Sequence, residues 1–318
     1  MQITIVGAGS IGLLLAARFS LAGHAVLLVT RTAEQAQLVN ARGLAFTDAG
    51  GTAALARVRA ASFAAPGAAG PSGPAAPDWL FLTVKQKDLH HREFLAQLRG
   101  FAGPSTRLLC FQNGVGHMEA LAAVFPPHLL YAAVTTEGAR RTSPCAVTHT
   151  GRGLTEIGRL DAAPAGMPEK KLPEAFAEAG FTARLSNEMV SVIYQKLLIN
   201  AVINPLTAIA RITNGELPAR EASLSLMRDL FEEGIQVMSA EGISLPAGLW
   251  ERILEVCNKT AANRSSMLQD LEAGRTTEID WINGSLIQLA QRHGIQLQVH
   301  KTVCRMVKTI ESQTSGGS

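Results

Sequence analysis

An α/β fold in two parts is predicted: a doubly wound, mostly parallel sheet over residues 1–186, then a mostly α-helical domain over 187–318. Three observations predict it. The β-branched run Ile3-Thr4-Ile5-Val6 opens directly into a glycine-rich turn and a long apolar stretch, the order of a strand, a tight loop and a helix. Asp78–Val84 is a near-continuous apolar run, as expected of a strand covered on both faces. From about Asn187 glycine and proline thin out, and helical periodicity takes over.

Composition narrows the class. A chain of 318 residues with 47% hydrophobic and 17% charged residues is long enough for two packed cores and too apolar to be disordered. The net charge of +3 permits an anionic ligand and gives no dense basic face for nucleic acid. Cys110, Cys145, Cys257 and Cys304 are widely spaced without a CxxC pair, so reduced, mostly buried thiols are expected. His90 and His91 are adjacent and cannot share a helix face, and no metal site is expected. The chain opens straight into a strand, and no apolar stretch of membrane length lacks a charge or turn signal. The expectation is a cytoplasmic protein without a membrane partner, with self-association left open.

The first strand leads into Gly7-Ala8-Gly9-Ser10-Ile11-Gly12, the apolar helix Ile11–Leu21 follows, and Gly23-His24 precedes a second strand, Ala25–Val29. This is the setting of a Rossmann-type dinucleotide loop. Gly7 permits the tight turn, Gly9 lets the backbone approach a pyrophosphate, and Gly12 lets helix and strand pack closely. The helix N-terminus then offers N–H groups and partial positive charge to phosphate. Beyond the second strand no acid stands ready for a ribose 2′-hydroxyl; Arg31 is there instead, suited to a 2′-phosphate, so NADP is favoured over NAD. Otherwise Arg31 is a solvated surface arginine.

Lys85 ends the Asp78–Val84 strand, on the side where ligands of such sheets lie, and is a candidate cofactor contact or a plain strand-end lysine. Arg107–Phe111 repeats the strand pattern and delivers Gln112-Asn113-Gly114; Asn113 either reaches the nicotinamide half of the cofactor or simply makes a turn. Ala60–Pro77 is rich in Ala, Gly and Pro and reads as an extended surface loop. Leu129–Val134 and Ala146–Ile157 read as antiparallel additions to the sheet, with Arg140-Arg141 in a solvated turn between them.

In the second half helices are expected over Glu188–Val202, Glu221–Glu241, Gly248–Asn263 and Glu278–His293. Lys196, Asn200 and Asn204 are spaced by four, so each lies about 40° round the helix from the last. They make one polar line in an apolar helix, costly to bury without a partner. A solvent-facing stripe would carry charges of both signs. Pro205 is expected to end or kink the helix just after Asn204. Asn263-Arg264-Ser265-Ser266 is either a polar cluster facing a ligand or a capped helix start. Glu278, at the start of a helical pattern, is either functional or a complement to the helix dipole.

These residues fall in motifs that resemble the ketopantoate reductase family: GAGSIG, TVK at Thr83–Lys85, QNGVG at Gln112–Gly116, KLLINAVINPLTAI at Lys196–Ile209, NGEL at Asn214–Leu217, NRSSMLQD at Asn263–Asp270 and TEIDWINGSL at Thr277–Leu286. The resemblance runs along nearly the whole chain, except Ala60–Pro77 and the tail after Gln313. It implies NADPH-dependent reduction of ketopantoate, a small 2-keto acid, on the way to pantothenate and coenzyme A. It implies Lys196 as general acid, with Asn200, Asn204, Asn214 and Ser266 on the substrate and Asn263 beside them. Glu278 would meet both cofactor and substrate hydroxyl, while Gly7–Gly12, Arg31, Lys85, Asn113 and Ala139 would line NADP(H). Such a reductase needs a carboxylate anchor, a polarised ketone and a proton, and Lys196 can supply the last two.

Two other readings use the same residues. A paralogue could reduce another branched 2-keto acid, since fold does not fix substrate. A non-catalytic NADP(H)-binding redox sensor would not need the aligned Lys196, Asn200 and Asn204.

Overall fold

The computed structural model describes residues 1–63, 76–163 and 166–315. They form two compact units, Met1–Gln112 with His117–Met189, and Asn113–Gly116 with Val190–Ser318. The four residues after the Gln112 turn thus group with the helical unit, although the chain around them belongs to the sheet.

The first unit contains, in order, β1 (Gln2–Val6), α1 (Ser10–Leu21), β2 (Ala25–Thr30), α2 (Ala33–Arg42), β3 (Leu44–Thr47), β4 (Ala53–Ala56), β5 (Arg59–Ser62), β6 (Trp79–Leu82), α3 (Arg92–Arg99), β7 (Arg107–Cys110), α4 (His117–Ala122), β8 (Leu130–Thr135), β9 (Gly138–Ser143), β10 (Ala146–Gly151), β11 (Leu154–Gly158), α5 (Met167–Lys170), α6 (Leu172–Glu178) and β12 (Thr182–Leu185). Six strands pair in parallel in the order β5-β2-β1-β6-β7-β8, and β11 and β12 extend the sheet beyond β8. The strand order reverses at β1, so the crevice outside the carboxyl ends of β1 and β6 is the topological switch point where doubly wound sheets bind ligands.

Four expectations need correction. β8 is a parallel member of the sheet, and only β11 is antiparallel to it. The stretch read as one strand, Ala146–Ile157, is two: β10 belongs to a second sheet ordered β4-β3-β10-β9, and β11 to the first. The break is Gly151-Arg152-Gly153, where a Cβ on Gly153 would lie 2.4 Å from the Thr136 carbonyl carbon, so only glycine lets the chain pass between sheets. Arg140-Arg141 is accordingly in strand β9, not in a turn. Finally, Ala60–Ser62 is not loop but part of β5, whose small side chains pair with β2 at the sheet edge; residues 64–75 of the Ala/Gly/Pro-rich stretch lie outside the described residues.

Helix α1 touches β1 and β2 of one sheet and β3, β4, β9 and β10 of the other. Covered on both sides, it is apolar all round, with Leu13 to Ala17 and Phe19 buried. Phe19 meets Phe81 and Phe176 edge-on, with ring centroids 5.5 and 5.1 Å away, and these rings fix the helix against β6 and α6.

The second unit is built from α7 (Met189–Ala210), α8 (Glu221–Ala240), α9 (Leu249–Lys259), α10 (Ser266–Glu272), α11 (Asn283–Arg292) and α12 (Gln298–Ser315). α7 sends Leu197, Ala201 and Ala208 into one apolar cluster and Leu198, Val202, Ile203 and Leu206 into another. It is the one helix among the described residues long and apolar enough to cross a membrane, yet 61% of that stretch is buried inside the protein, as in a core helix.

Pro205 neither ends this helix nor marks its last turn; α7 continues to Ala210. Proline removes the N–H that would bond the carbonyl four residues earlier, and that carbonyl, on Ala201, accepts from Asn283 Nδ2 at 2.9 Å instead. The segment that carries Glu278 also differs from expectation, since α11 begins only at Asn283 and Glu278 lies in the turns before it. The amides of Trp281 and Ile282 both return to the Glu278 carbonyl at 3.0 Å.

Candidate active site

The cofactor candidates of the sheet unit gather at the switch point. Gly7 has φ +114°, and a Cβ there would lie 2.8 Å from the Thr83 carbonyl carbon. The Thr83 hydroxyl donates to the Gly7 carbonyl at 2.8 Å, which ties the glycine loop to the end of β6 just before Lys85. A Cβ on Gly12 would sit 1.8 Å from the Gly7 carbonyl oxygen, so loop and helix touch backbone to backbone. Gly9 is different: it is exposed, a Cβ there would meet nothing within 4 Å, and it caps α1 without a side-chain hydrogen bond. The open space and the uncapped N–H groups of Ser10, Ile11 and Gly12 fit a pyrophosphate.

At the end of β2 the Thr30 hydroxyl bonds backbone oxygens of Thr32 and Ala61, while Arg31 is exposed. Ala8 accepts from Gln35 Nε2 at 3.3 Å and from Arg141 at 3.4 Å, and the Arg141 amide donates to Ser10 Oγ at 3.1 Å. Strand β9, with Ala139 partly buried in it, therefore flanks the glycine loop.

The helical unit holds the other group. Asn113 Nδ2 donates to Glu278 Oε2 at 3.1 Å. Lys196 lies in the field of the same carboxylate: burial lowers its ammonium to about 8, and Glu278 acts in the opposite direction. Lys196 and Asn200 are half-buried on α7, and Asn204 is 8% exposed. Of the stripe read from the sequence, only Asn204 is thus fully in the interior.

Asn214 stands in a single helical turn, Asn214–Glu216, started by a capping box in which the Thr213 amide donates to Glu216 Oε2 at 2.9 Å. Its amide donates to the Asn263 carbonyl at 2.9 Å, so these two are neighbours through the backbone. The Asn214 side chain donates to Thr260 Oγ1 at 2.8 Å, and its buried Oδ1 has no hydrogen-bond partner among the described residues. Ser265 caps α10 by accepting from the Leu268 amide, and Thr207 Oγ1 of α7 donates to the same hydroxyl at 2.7 Å. That leaves Ser266 exposed as the first helical residue, with Asn263 exposed just before the cap. For Ser265 the capped helix start offered by the sequence holds, whereas sequence reasoning gave no role to Thr83, Asn283 or His300, whose long-range partners no local pattern reveals.

The profile of the ketopantoate reductase PanE/ApbA family matches residues 3–162, and that of its C-terminal domain matches residues 188–311. The chain belongs to the ketopantoate reductase family. The chain is 34% identical to the 2-dehydropantoate 2-reductase of Archaeoglobus fulgidus over 98% of each chain, and 33% identical to that of Bacillus subtilis over 99% of each. Among solved structures, a probable 2-dehydropantoate 2-reductase from Bacillus subtilis superposes with a TM-score of 0.77 at 31% identity, covering 98% of this chain and all of that one. A ketopantoate reductase family structure from Ralstonia eutropha gives 0.86 at 26%, covering 99% of both. Membership accounts for the α/β fold, with its glycine loop at one end and its polar helix in the helical unit.

Proposed function

We propose that this enzyme reduces the keto group of 2-dehydropantoate to the hydroxyl of pantoate with NADPH, as a cytoplasmic step towards pantothenate and coenzyme A. The observation that carries the chemistry is Lys196, its ammonium lowered to about 8 by burial and opposed by Glu278. Such a group is charged at neutral pH and gives up its proton readily, which is what a general acid requires.

Gly7 to Gly12 would hold the pyrophosphate, Arg31 the 2′-phosphate, and Lys85, Asn113 and Ala139 further parts of the cofactor. When bound, NADPH supplies the hydride that the keto carbon accepts. Lys196 hydrogen-bonds the keto oxygen, stabilises the negative charge growing there, and transfers its proton to that oxygen. Asn200 and Asn204, uncharged donors on the same face of α7, orient the substrate hydroxyl and carboxylate. Ser266 and Asn214, with Asn263 beside them, anchor the far end. Glu278, oriented by Asn113, keeps the Lys196 ammonium charged and accepts from the product hydroxyl.

The test is NADPH consumption by purified protein with 2-dehydropantoate, a panel of other 2-keto acids, and NADH in place of NADPH. Turnover confined to 2-dehydropantoate and NADPH is the expected result. Faster turnover of another branched keto acid would replace the substrate, and cofactor binding without turnover of any acid would overturn the catalytic reading.

A further inference from the structure

We propose that Asn283 is a positioning residue for the substrate-facing line of α7, because its carboxamide replaces the helix hydrogen bond that Pro205 deletes. The inference rests on the reading that Lys196, Asn200 and Asn204 handle the substrate.

In a regular α-helix the Ala201 carbonyl accepts from the N–H of residue 205. Pro205 has none, and Ala201 is fully buried, so water cannot substitute. Asn283 Nδ2 fills the position at 2.9 Å. Ala201 follows Asn200 directly and precedes Asn204 by less than one turn. The repaired carbonyl therefore lies between two of the three residues of the line. Asn283 is also the first residue of α11, five positions after Glu278. One side chain thereby joins the backbone of the lysine-bearing helix to the segment that carries the opposing carboxylate.

His300 determines which way the carboxamide faces. Its Nε2 lies 3.0 Å from the Leu230 carbonyl, which can only accept, so Nε2 bears the proton and Nδ1 presents a lone pair. That lone pair accepts from Asn283 Nδ2 at 3.0 Å. Both amide protons are then committed, one to Ala201 and one to His300, and the nitrogen cannot exchange places with the oxygen. The displaced Oδ1 is buried with no hydrogen-bond partner among the described residues. A side chain serving only to fill space would not introduce such an orphan. Asn283 and His300 are both 0% exposed, which makes the arrangement rigid.

The experiment is a double-mutant cycle of Asn283→Leu and Pro205→Ala. Asn283→Leu removes the donor at similar volume; Pro205→Ala restores the backbone N–H. Asn283→Leu is expected to lower kcat by between about tenfold and a hundredfold, as a small misplacement of reacting groups does, with NADPH binding by fluorescence almost unchanged. In the Pro205→Ala background the same substitution should cost little, because the restored N–H serves the Ala201 carbonyl. Amide exchange over residues 200–209 should quicken in Asn283→Leu and slow again in the double variant. Equal kcat losses in both backgrounds, or unaltered exchange in that stretch, would overturn the proposal. The exchange measurement decides it whichever keto acid the enzyme takes, so failure of the substrate assignment is seen separately. If Asn283→Leu does not fold, His300→Leu and His300→Asn test the geometry from the other side. The leucine should cause the loss, and the asparagine, which retains an acceptor near Nδ1, should restore activity; equal effects of the two would overturn it.

Discussion

Asn113 and Glu278, 165 positions apart in sequence, are joined by a hydrogen bond of 3.1 Å from carboxamide to carboxylate. The bond gives Asn113 a partner in the helical unit and gives Glu278 a fixed orientation.

Replacing that donor by an acceptor of the same shape is a sharp test. In Asn113→Asp two carboxylates would face one another and share a proton at lower pH. The expected result is at least about a tenfold loss of kcat/KM at neutral pH, with partial recovery as the pH is lowered towards about 5.5. A loss of the same size at every pH would show that Asn113 does not act through Glu278.

Lys196 should set the alkaline limb of the pH profile. With its ammonium lowered to about 8, reduction should decline above about that pH as the proton donor is lost. The Glu278 carboxylate holds the ammonium charged, so Glu278→Gln should move the limb to lower pH as well as reduce the rate. Lys196→Ala should cost more than about a hundredfold in turnover. A limb that stays in place in Glu278→Gln would separate the two residues.

Arg31→Ala should weaken NADPH binding and leave NADH almost untouched, because only NADPH carries the 2′-phosphate. Titration of both cofactors by fluorescence quenching measures this, and equal losses would remove Arg31 from that contact.

Two glycines of one loop should fail in different ways. Gly9→Ala places its methyl in open space, so the variant should melt like the parent yet bind NADPH at least about tenfold more weakly, because the methyl occupies the pyrophosphate's approach. Gly12→Ala drives a Cβ to 1.8 Å from the Gly7 carbonyl oxygen and should lower the melting temperature before any ligand is added. Similar melting temperatures for the two would contradict the loop geometry.

Acid should destabilise the fold through buried imidazoles. Burial, with a smaller contribution from His90, lowers His117 from 6.5 to about 4, and burial lowers His300 against the opposing effects of the Leu230 carbonyl and the Glu233 carboxylate. The unfolded chain then binds more protons than the native one below about 6.5, so stability falls as pH drops from there towards about 4. His117 alone contributes up to about 3 kcal/mol over that window. Urea unfolding of the parent and of His117→Gln across this range checks it; parallel pH dependences would show that His117 stays neutral in both states or charged in both.

The parallel sheet, the glycine loop and the stripe on α7 were legible because each is a local pattern: period, glycine spacing, residues four apart. What was not legible depends on partners distant in sequence. Pro205 stays inside α7 because Asn283 supplies the missing donor, a relationship no window around the proline contains. β10 leaves the main sheet because β3, a hundred residues earlier in the chain, offers it an edge. Glu278 precedes α11 instead of opening it because two amides close turns on its carbonyl. Asn214 was suggested by motif alone, and Asn263 with Ser266 by a polar cluster that reads equally as a capped helix start; the Asn214 side chain is bonded within the protein and the other two are exposed.

The burial of α7 between two apolar clusters bears on how the specificity of this enzyme can be changed. Lys196, Asn200 and Asn204 ride on a helix whose other faces are core, so any substitution along that stripe disturbs the scaffold at the same time. Ser266 and Asn263, exposed at the head of α10, carry no such coupling. On the proposed substrate placement, laboratory evolution towards bulkier or smaller keto acids would therefore advance by exchanging Asn263 and Ser266 first, leaving the α7 line to follow only after the helix has been stabilised elsewhere.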